Sequence, residues 1–124
     1  PNSVKIVMQT ADGRIWEMMG SSVGGGKVII SSLNGMDIEF SGDYPTIITF
    51  HRDQPGAVAQ VSEIISHHNI NIAFLKVFRS SRGSDASMVI ECDQEAEPDL
   101  LEQIKALQVV KEVMFINAGI TPAN

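Results

Sequence analysis

His51-Arg52-Asp53-Gln54-Pro55-Gly56-Ala57 concentrates more chemistry than any other stretch of this 124-residue chain. A histidine and a carboxylate stand two residues apart at the end of the β-branched run Ile47-Ile48-Thr49-Phe50, and a Pro-Gly step follows. Apolar residues then recur at helical spacing (Val58, Val61, Ile65), so the stretch predicts a strand, a short loop and the first turn of a helix. Pro55 suits the first helical position, because the amide it lacks would be unpaired there. Gly56 has no side chain, which lets a ligand approach the backbone closely. Free amides at a helix start favour an anion such as a carboxylate. Asp53 can accept the ammonium of a zwitterionic amino acid, and His51 can donate to a ligand hydroxyl or carboxylate. A loop of this composition can also do no more than start a helix, with Asp53 solvated or bonded to local amides. On these residues alone both readings stay open.

A second candidate is Gly20-Ser21-Ser22-Val23-Gly24-Gly25-Gly26. Here Ser21, Ser22, Gly24 and Gly25 can form a nest of backbone amides around an anion. A mobile loop, or a pair of β-bulges, accounts for the same composition. The run is no P-loop, since Gly26-Lys27 leads into Val28 where a Ser or Thr would be required. His67 and His68 close the first helix, where positive charge suits the carbonyl end, and read as a helix terminus rather than a metal pair. Asn69 is placed to cap that helix in the left-handed conformation. No nucleophile motif, metal set or acid–base pair emerges, so the chain by itself reads as non-catalytic.

Composition narrows the partners. Net charge is −6 with no block of Lys and Arg, which argues against nucleic acid and against an anionic membrane surface. No apolar run approaches the roughly 20 residues of a membrane span, and no signal peptide is visible. Cys92 is the single cysteine. It cannot form an internal disulfide, fits a reducing cytoplasm, and excludes a cluster held by three or four thiolates of this chain. Position 1 is proline, and the chain reads as a fragment of a longer polypeptide or a processed product.

The elements that must position these residues fall into two segments, 1–42 and 43–124. The first predicts an antiparallel meander: a strand at Val4–Met8, a turn at Asp12-Gly13, a returning strand at Arg14–Met19, and a hairpin of Lys27–Ser32 and Met36–Phe40. Asn34-Gly35 is a strong signal for that hairpin, because both turn residues tolerate positive φ. The second segment predicts strand Thr46–His51, helix Pro55–His68, strand Ile72–Arg79, a loop at Ser80–Asp85, strand Ala86–Asp93, a helix from Pro98 with Leu100, Ile104 and Leu107 on one face, and strand Glu112–Asn117. That order is βαββαβ, an α+β, ferredoxin-like pattern with both helices on one face of the sheet. Ile72–Phe78 is apolar on both parities, so its outward set needs a cover, either the first segment or a second copy of the domain.

His51-Arg52-Asp53-Gln54-Pro55-Gly56, followed after one helix by Asn69-Ile70-Asn71-Ile72-Ala73, resembles an ACT domain, the small amino-acid-sensing βαββαβ module. Upstream, Pro1-Asn2, Thr10-Ala11-Asp12-Gly13 and the glycine-rich run resemble the end of the allosteric substrate-binding domain in the two-chain, iron–sulfur-dependent L-serine dehydratase family. The resemblance implies a regulatory beta-chain piece of a lyase that converts L-serine to pyruvate and ammonia, with a catalytic alpha chain as partner. It implies a [4Fe-4S] cluster on that partner chain and no cofactor here. It also implies a homodimer through the ACT domains, with a small amino acid, L-serine first, between His51, Asp53, Gln54, Pro55, Gly56 and Ala57 of one copy and Asn71 and Ile72 of the other. Asp53 replaces the asparagine of serine-inhibited D-3-phosphoglycerate dehydrogenases, a family with the same domain pairing. That difference keeps a monovalent cation or another amino acid open as the occupant. The rival expectations are a purely structural assembly module and the regulatory region of such a dehydrogenase.

Overall fold

Asn34 and Gly35 both take positive φ, 48° and 80°, and turn the chain directly from Leu33 to Met36. In this computed structural model, which describes residues 3–9, 13–79 and 84–117, that hairpin belongs to the first of two units, divided between Asp43 and Tyr44. Strands β1 (Ser3–Gln9), β2 (Ile15–Gly24), β3 (Lys27–Leu33) and β4 (Met36–Phe40) form an antiparallel sheet in the order β1-β2-β3-β4. Alternation sets its faces: Trp16 and Met18 of β2, Val28 and Ile30 of β3, and Ile38 and Phe40 of β4 are buried. The expected turn at Asp12-Gly13 and the residues Pro1-Asn2 and Thr10-Ala11 lie wholly or partly outside the described residues.

The glycine-rich run is strand rather than the expected mobile loop. β2 continues through Ser21 and Ser22, which face Ile29 and Val28, to Gly24, which faces Lys27, and Gly25-Gly26 is the turn. The register slips between Met19 and Gly20 and again between Ser22 and Gly24, so Ser31 of β3 and Val23 of β2 are the extra residues of two bulges. A Cβ on Gly20 would lie 2.5 Å from the Ile29 carbonyl oxygen, which explains that glycine by close backbone approach.

The second unit contains β5 (Thr46–Arg52), α1 (Ala57–His67), β6 (Ile72–Arg79), β7 (Asp85–Cys92), α2 (Pro98–Lys105) and β8 (Val110–Ile116). Its sheet is antiparallel with order β6-β7-β5-β8, the ferredoxin-like arrangement expected from the βαββαβ sequence. Ile47, Met88, Ile90 and Cys92 from the sheet meet Ala57, Val61 and Ile65 of α1 and Leu100 and Ile104 of α2 in one buried core. Each fully buried aliphatic side chain there contributes about 1.5–3 kcal/mol. Leu107, expected on the α2 face, lies beyond the helix and packs against the same core. β6 is an edge strand, and Phe74 on its outward side is 57% exposed, edge-on to Tyr44 at 5.5 Å between centroids. Residues 80–83 of the expected β6–β7 loop lie outside the described residues.

Candidate functional site

The loop after β5 is held by backbone bonds on both sides. Arg52 N donates to the Val109 carbonyl at 2.9 Å, and Asp53 N to the Ser84 carbonyl at 2.8 Å. The chain then turns through Gln54-Pro55-Gly56-Ala57, with Ala57 N donating back to the Gln54 carbonyl at 3.4 Å. Gly56 has φ 90° and ψ −14°, the third position of a type II turn, with proline in its favoured second position. That geometry moves the helix start. Pro55, expected as the first helical residue, is a turn residue instead, and α1 begins at Ala57 with Gly56 as its N-cap. No side chain caps this end, and no acidic residue occupies the first turn. The helix therefore keeps an open, electropositive tip beside Asp53.

Asp53 is partly buried and paired. Arg79 Nη1, at the end of β6, donates to its Oδ2 at 3.1 Å, so the loop presents a carboxylate and a guanidinium side by side. Arg79 was not legible as a site residue, because nothing in the sequence aligns the end of β6 with the end of β5. Such a pair suits a zwitterion, which can place its ammonium on the carboxylate and its own carboxylate on the guanidinium.

His51 is 1% exposed and lies on the helix-facing side of β5. Its Nδ1 donates to the Arg52 carbonyl at 2.8 Å. In the neutral ring with this bond Nε2 is an acceptor rather than a donor. Nε2 is buried without a partner.

Asn71 and Ile72 lie at the other end of α1, about 16 Å along an 11-residue helix from the Gln54–Ala57 turn. The Asn71 side chain donates to Asp93 Oδ2 at 2.8 Å, and its backbone amide donates to Gln94 Oε1 at 2.9 Å. With Ile70 and Ile72, and with Ala59, Ser62, Glu63 and Ser66 of α1, Asn71 lines an open hollow of about 470 Å³. One copy of the fold thus brings His51, Asp53, Gln54, Pro55, Gly56 and Ala57 together but keeps Asn71 and Ile72 apart from them.

Other candidates resolve more simply. Asn69 has φ 58°, the expected left-handed cap. His68 Nε2 lies 3.2 Å from Gln103 Oε1 of α2. His67 Nε2 lies 4.0 Å from Glu63 Oε1, an i,i+4 pair that spacing alone predicts. Among the described residues no group of three His, Cys, Asp or Glu side chains converges on a metal position, and no helix is long and apolar enough to cross a membrane.

An ACT domain model matches residues 46–108, from the first residue of β5 to the turn after α2. The chain belongs to the ACT domain family. Beyond this ACT domain, the chain is similar to a probable L-serine dehydratase beta chain of Bacillus subtilis, 34% identical over 94% of this chain and 52% of that protein. It is 32% identical to an L-serine dehydratase beta chain of Peptoniphilus asaccharolyticus over 87% of this chain and 49% of that one. It is also 27% identical to a D-3-phosphoglycerate dehydrogenase of Methanocaldococcus jannaschii, over 94% of this chain but 22% of the dehydrogenase. The chain spans about half the length of the dehydratase beta chains it matches.

Proposed function

We propose that this chain is the regulatory part of an L-serine dehydratase beta chain, whose ACT domain binds a small amino acid and adjusts a catalytic alpha chain. One observation carries the reading: two dehydratase beta chains match beyond the 46–108 span at 34% and 32% identity and over about half their own length, whereas the dehydrogenase that covers as much of this chain is 27% identical and matched over 22% of its length. The iron–sulfur cluster of the reaction belongs to the partner chain in this reading, because one buried cysteine cannot supply a cluster's ligands.

The ligand site is completed by a second copy. β6 is an edge strand, apolar along both faces. Antiparallel pairing of Ile72–Arg79 with the same strand of another copy, about its midpoint, sets Ile72 opposite the partner's Arg79. Asn71 then stands beside the Asp53–Arg79 pair and the open helix tip of the other protomer. The two half-sites, about 16 Å apart within one chain, become neighbours. Ligand shared between copies stabilises one pairing geometry, and coupling of this kind is worth roughly 1–3 kcal/mol.

The test uses the full beta chain with its catalytic alpha chain. Pyruvate formation from L-serine is followed with and without Asp53→Ala and Asn71→Ala, alongside calorimetry of the beta chain with L-serine, other amino acids and K⁺. Loss of ligand binding with a several-fold change in the activity curve supports the sensor. A dehydratase indifferent to both substitutions, but dissociated by Phe74→Glu, supports the assembly module instead.

A further inference from the structure

The two edges of the first sheet differ. At one edge, β4 exposes Asp37 and Glu39 and buries Ile38 and Phe40, the alternation of a sheet with one face in water. At the other edge, β1 and its neighbour β2 break that rule. Val7 of β1 pairs with Glu17 of β2, which puts Ile15 and Met19 diagonally beside it on the same face. All three are exposed, Val7 at 60%, Ile15 at 66% and Met19 at 36%, while the buried Trp16 and Met18 alternate with them on the opposite face. The charges that β1 and β2 place among these side chains, Lys5 and Glu17, bind each other at 3.3 Å, so the stripe is neutral as well as apolar. Among the described residues β1 pairs with β2 alone, which leaves one side of a seven-residue strand open beside the stripe. An open edge and an exposed apolar face on the same two strands both call for further chain.

We propose that the part of the beta chain outside the matched half adds a strand to β1 and covers Val7, Ile15 and Met19 with the segment that leads from that strand. The inference rests on the beta-chain reading above and goes beyond it by assigning a surface of the first unit to an occupant within the same polypeptide. Length supports this occupant: about half of each matching dehydratase beta chain lies outside the match, ample for one strand and a covering segment. Geometry separates it from its rivals. A second copy paired through β1 would fill the edge and leave the face in water, and a copy stacked on the face would leave the edge open. One strand with its connection fills both, because a chain leaving a strand end packs back across a face of the same sheet. Charge points the same way. A neutral stripe offers no complementarity to steer a separately folded alpha chain, whereas apolar, uncharged contact is the character of permanent interfaces.

Hydrogen exchange on the full beta chain, alone and with its catalytic alpha chain, tests this. The β1 amides that point away from β2 should exchange at least about a hundredfold more slowly in the full chain than in the 124-residue chain. Adding the alpha chain, or diluting the beta chain, should change nothing further. Val7→Ser and Ile15→Ser should each raise the unfolded-to-folded ratio of the full chain about tenfold at a fixed urea concentration, because a buried apolar side chain is lost. In the 124-residue chain the same substitutions should stay within about twofold, as at other exposed positions. Rapid exchange of those amides in the full beta chain overturns the proposal. Protection that appears only with the alpha chain, or only at high beta-chain concentration, overturns it too and assigns the surface to the alpha chain or to a second copy. A beta chain that protects β1 but leaves pyruvate formation by the alpha chain unchanged keeps the proposal and removes the regulatory reading.

Discussion

Arg79 at the end of β6 donates to the Asp53 carboxylate at 3.1 Å and leaves the loop after β5 electrically neutral. The pair is partly exposed, so its worth to the fold is small, below about 1 kcal/mol. Its worth to a ligand differs. Arg79→Gln should barely change the urea midpoint but should weaken amino-acid binding several-fold, because the ligand carboxylate then meets an uncompensated Asp53. The same substitution should strengthen K⁺ binding. Calorimetry with both ligands checks this, and unchanged affinities for both would remove the pair from the ligand site.

Gly56 holds φ at 90° in a type II turn, and a Cβ there would meet only Gln60 Nε2 at an ordinary 3.4 Å. The cost of Gly56→Ala is therefore conformational, about 1–2 kcal/mol in equilibrium unfolding. Pro55→Ala at the second turn position should cost less, roughly 0.4–1 kcal/mol, through unfolded-state entropy. A larger loss from the proline than from the glycine would contradict the turn assignment.

Gly20→Ala tests a different constraint. The new Cβ would lie 2.5 Å from the Ile29 carbonyl oxygen, which is backbone in a paired strand and cannot swing aside. Overpacking of this kind costs on the order of 1–3 kcal/mol. Ser21→Ala, on the exposed neighbour, should stay within about 0.5 kcal/mol by the same denaturation measurement.

Local chemistry explains what could be read in advance. The Asn34-Gly35 turn, the βαββαβ order and the Asn69 cap each depend on residues close in sequence, and the structure has all three. The start of α1 was misplaced because Pro-Gly suits both a helix N-terminus and a type II turn, and only the φ of Gly56 decides between them. The glycine-rich run misled for a related reason: bulges and loops share a composition, and the choice is made by pairing with Lys27–Ile30. Arg79 was invisible beside Asp53. Its place there emerges only when β6 and β5 are aligned through β7.

Asn34 does more than turn a hairpin. Its Oδ1 accepts from Glu17 N and its own amide donates to the Glu17 carbonyl, each at 2.7 Å, which extends the β2–β3 ladder by one side-chain rung. Asn34→Gly keeps the positive φ but loses the side-chain bond, and should cost about 1 kcal/mol. Asn34→Ala loses both and should cost about 2 kcal/mol once left-handed strain is added. Urea titration of the two variants separates the contributions, and equal losses would show that the bond to Glu17 carries none of the stability.

Cys92 is buried in the core between the sheet and the helices, and its thiol is pushed from 9.0 up to about 11, first by burial and then by the charges of Asp93 and Glu91. Below pH 9 the thiolate is therefore about a hundredfold scarcer in the folded chain than in the unfolded one, and the thiolate is the reactive form. Iodoacetamide at pH 8 should modify the native protein at least about a hundredfold more slowly than the protein in urea. The same shift couples to stability. Between pH 9 and 11 the unfolded thiol has given up its proton while the folded one keeps it, so the unfolded state binds fewer protons and stability falls as pH rises through that window. Cys92→Ala should remove this alkaline contribution, at the cost of a small cavity felt at every pH. If urea midpoints of the two proteins fall in parallel from pH 8 to 11, the titration belongs to other groups, and Cys92 contributes packing alone.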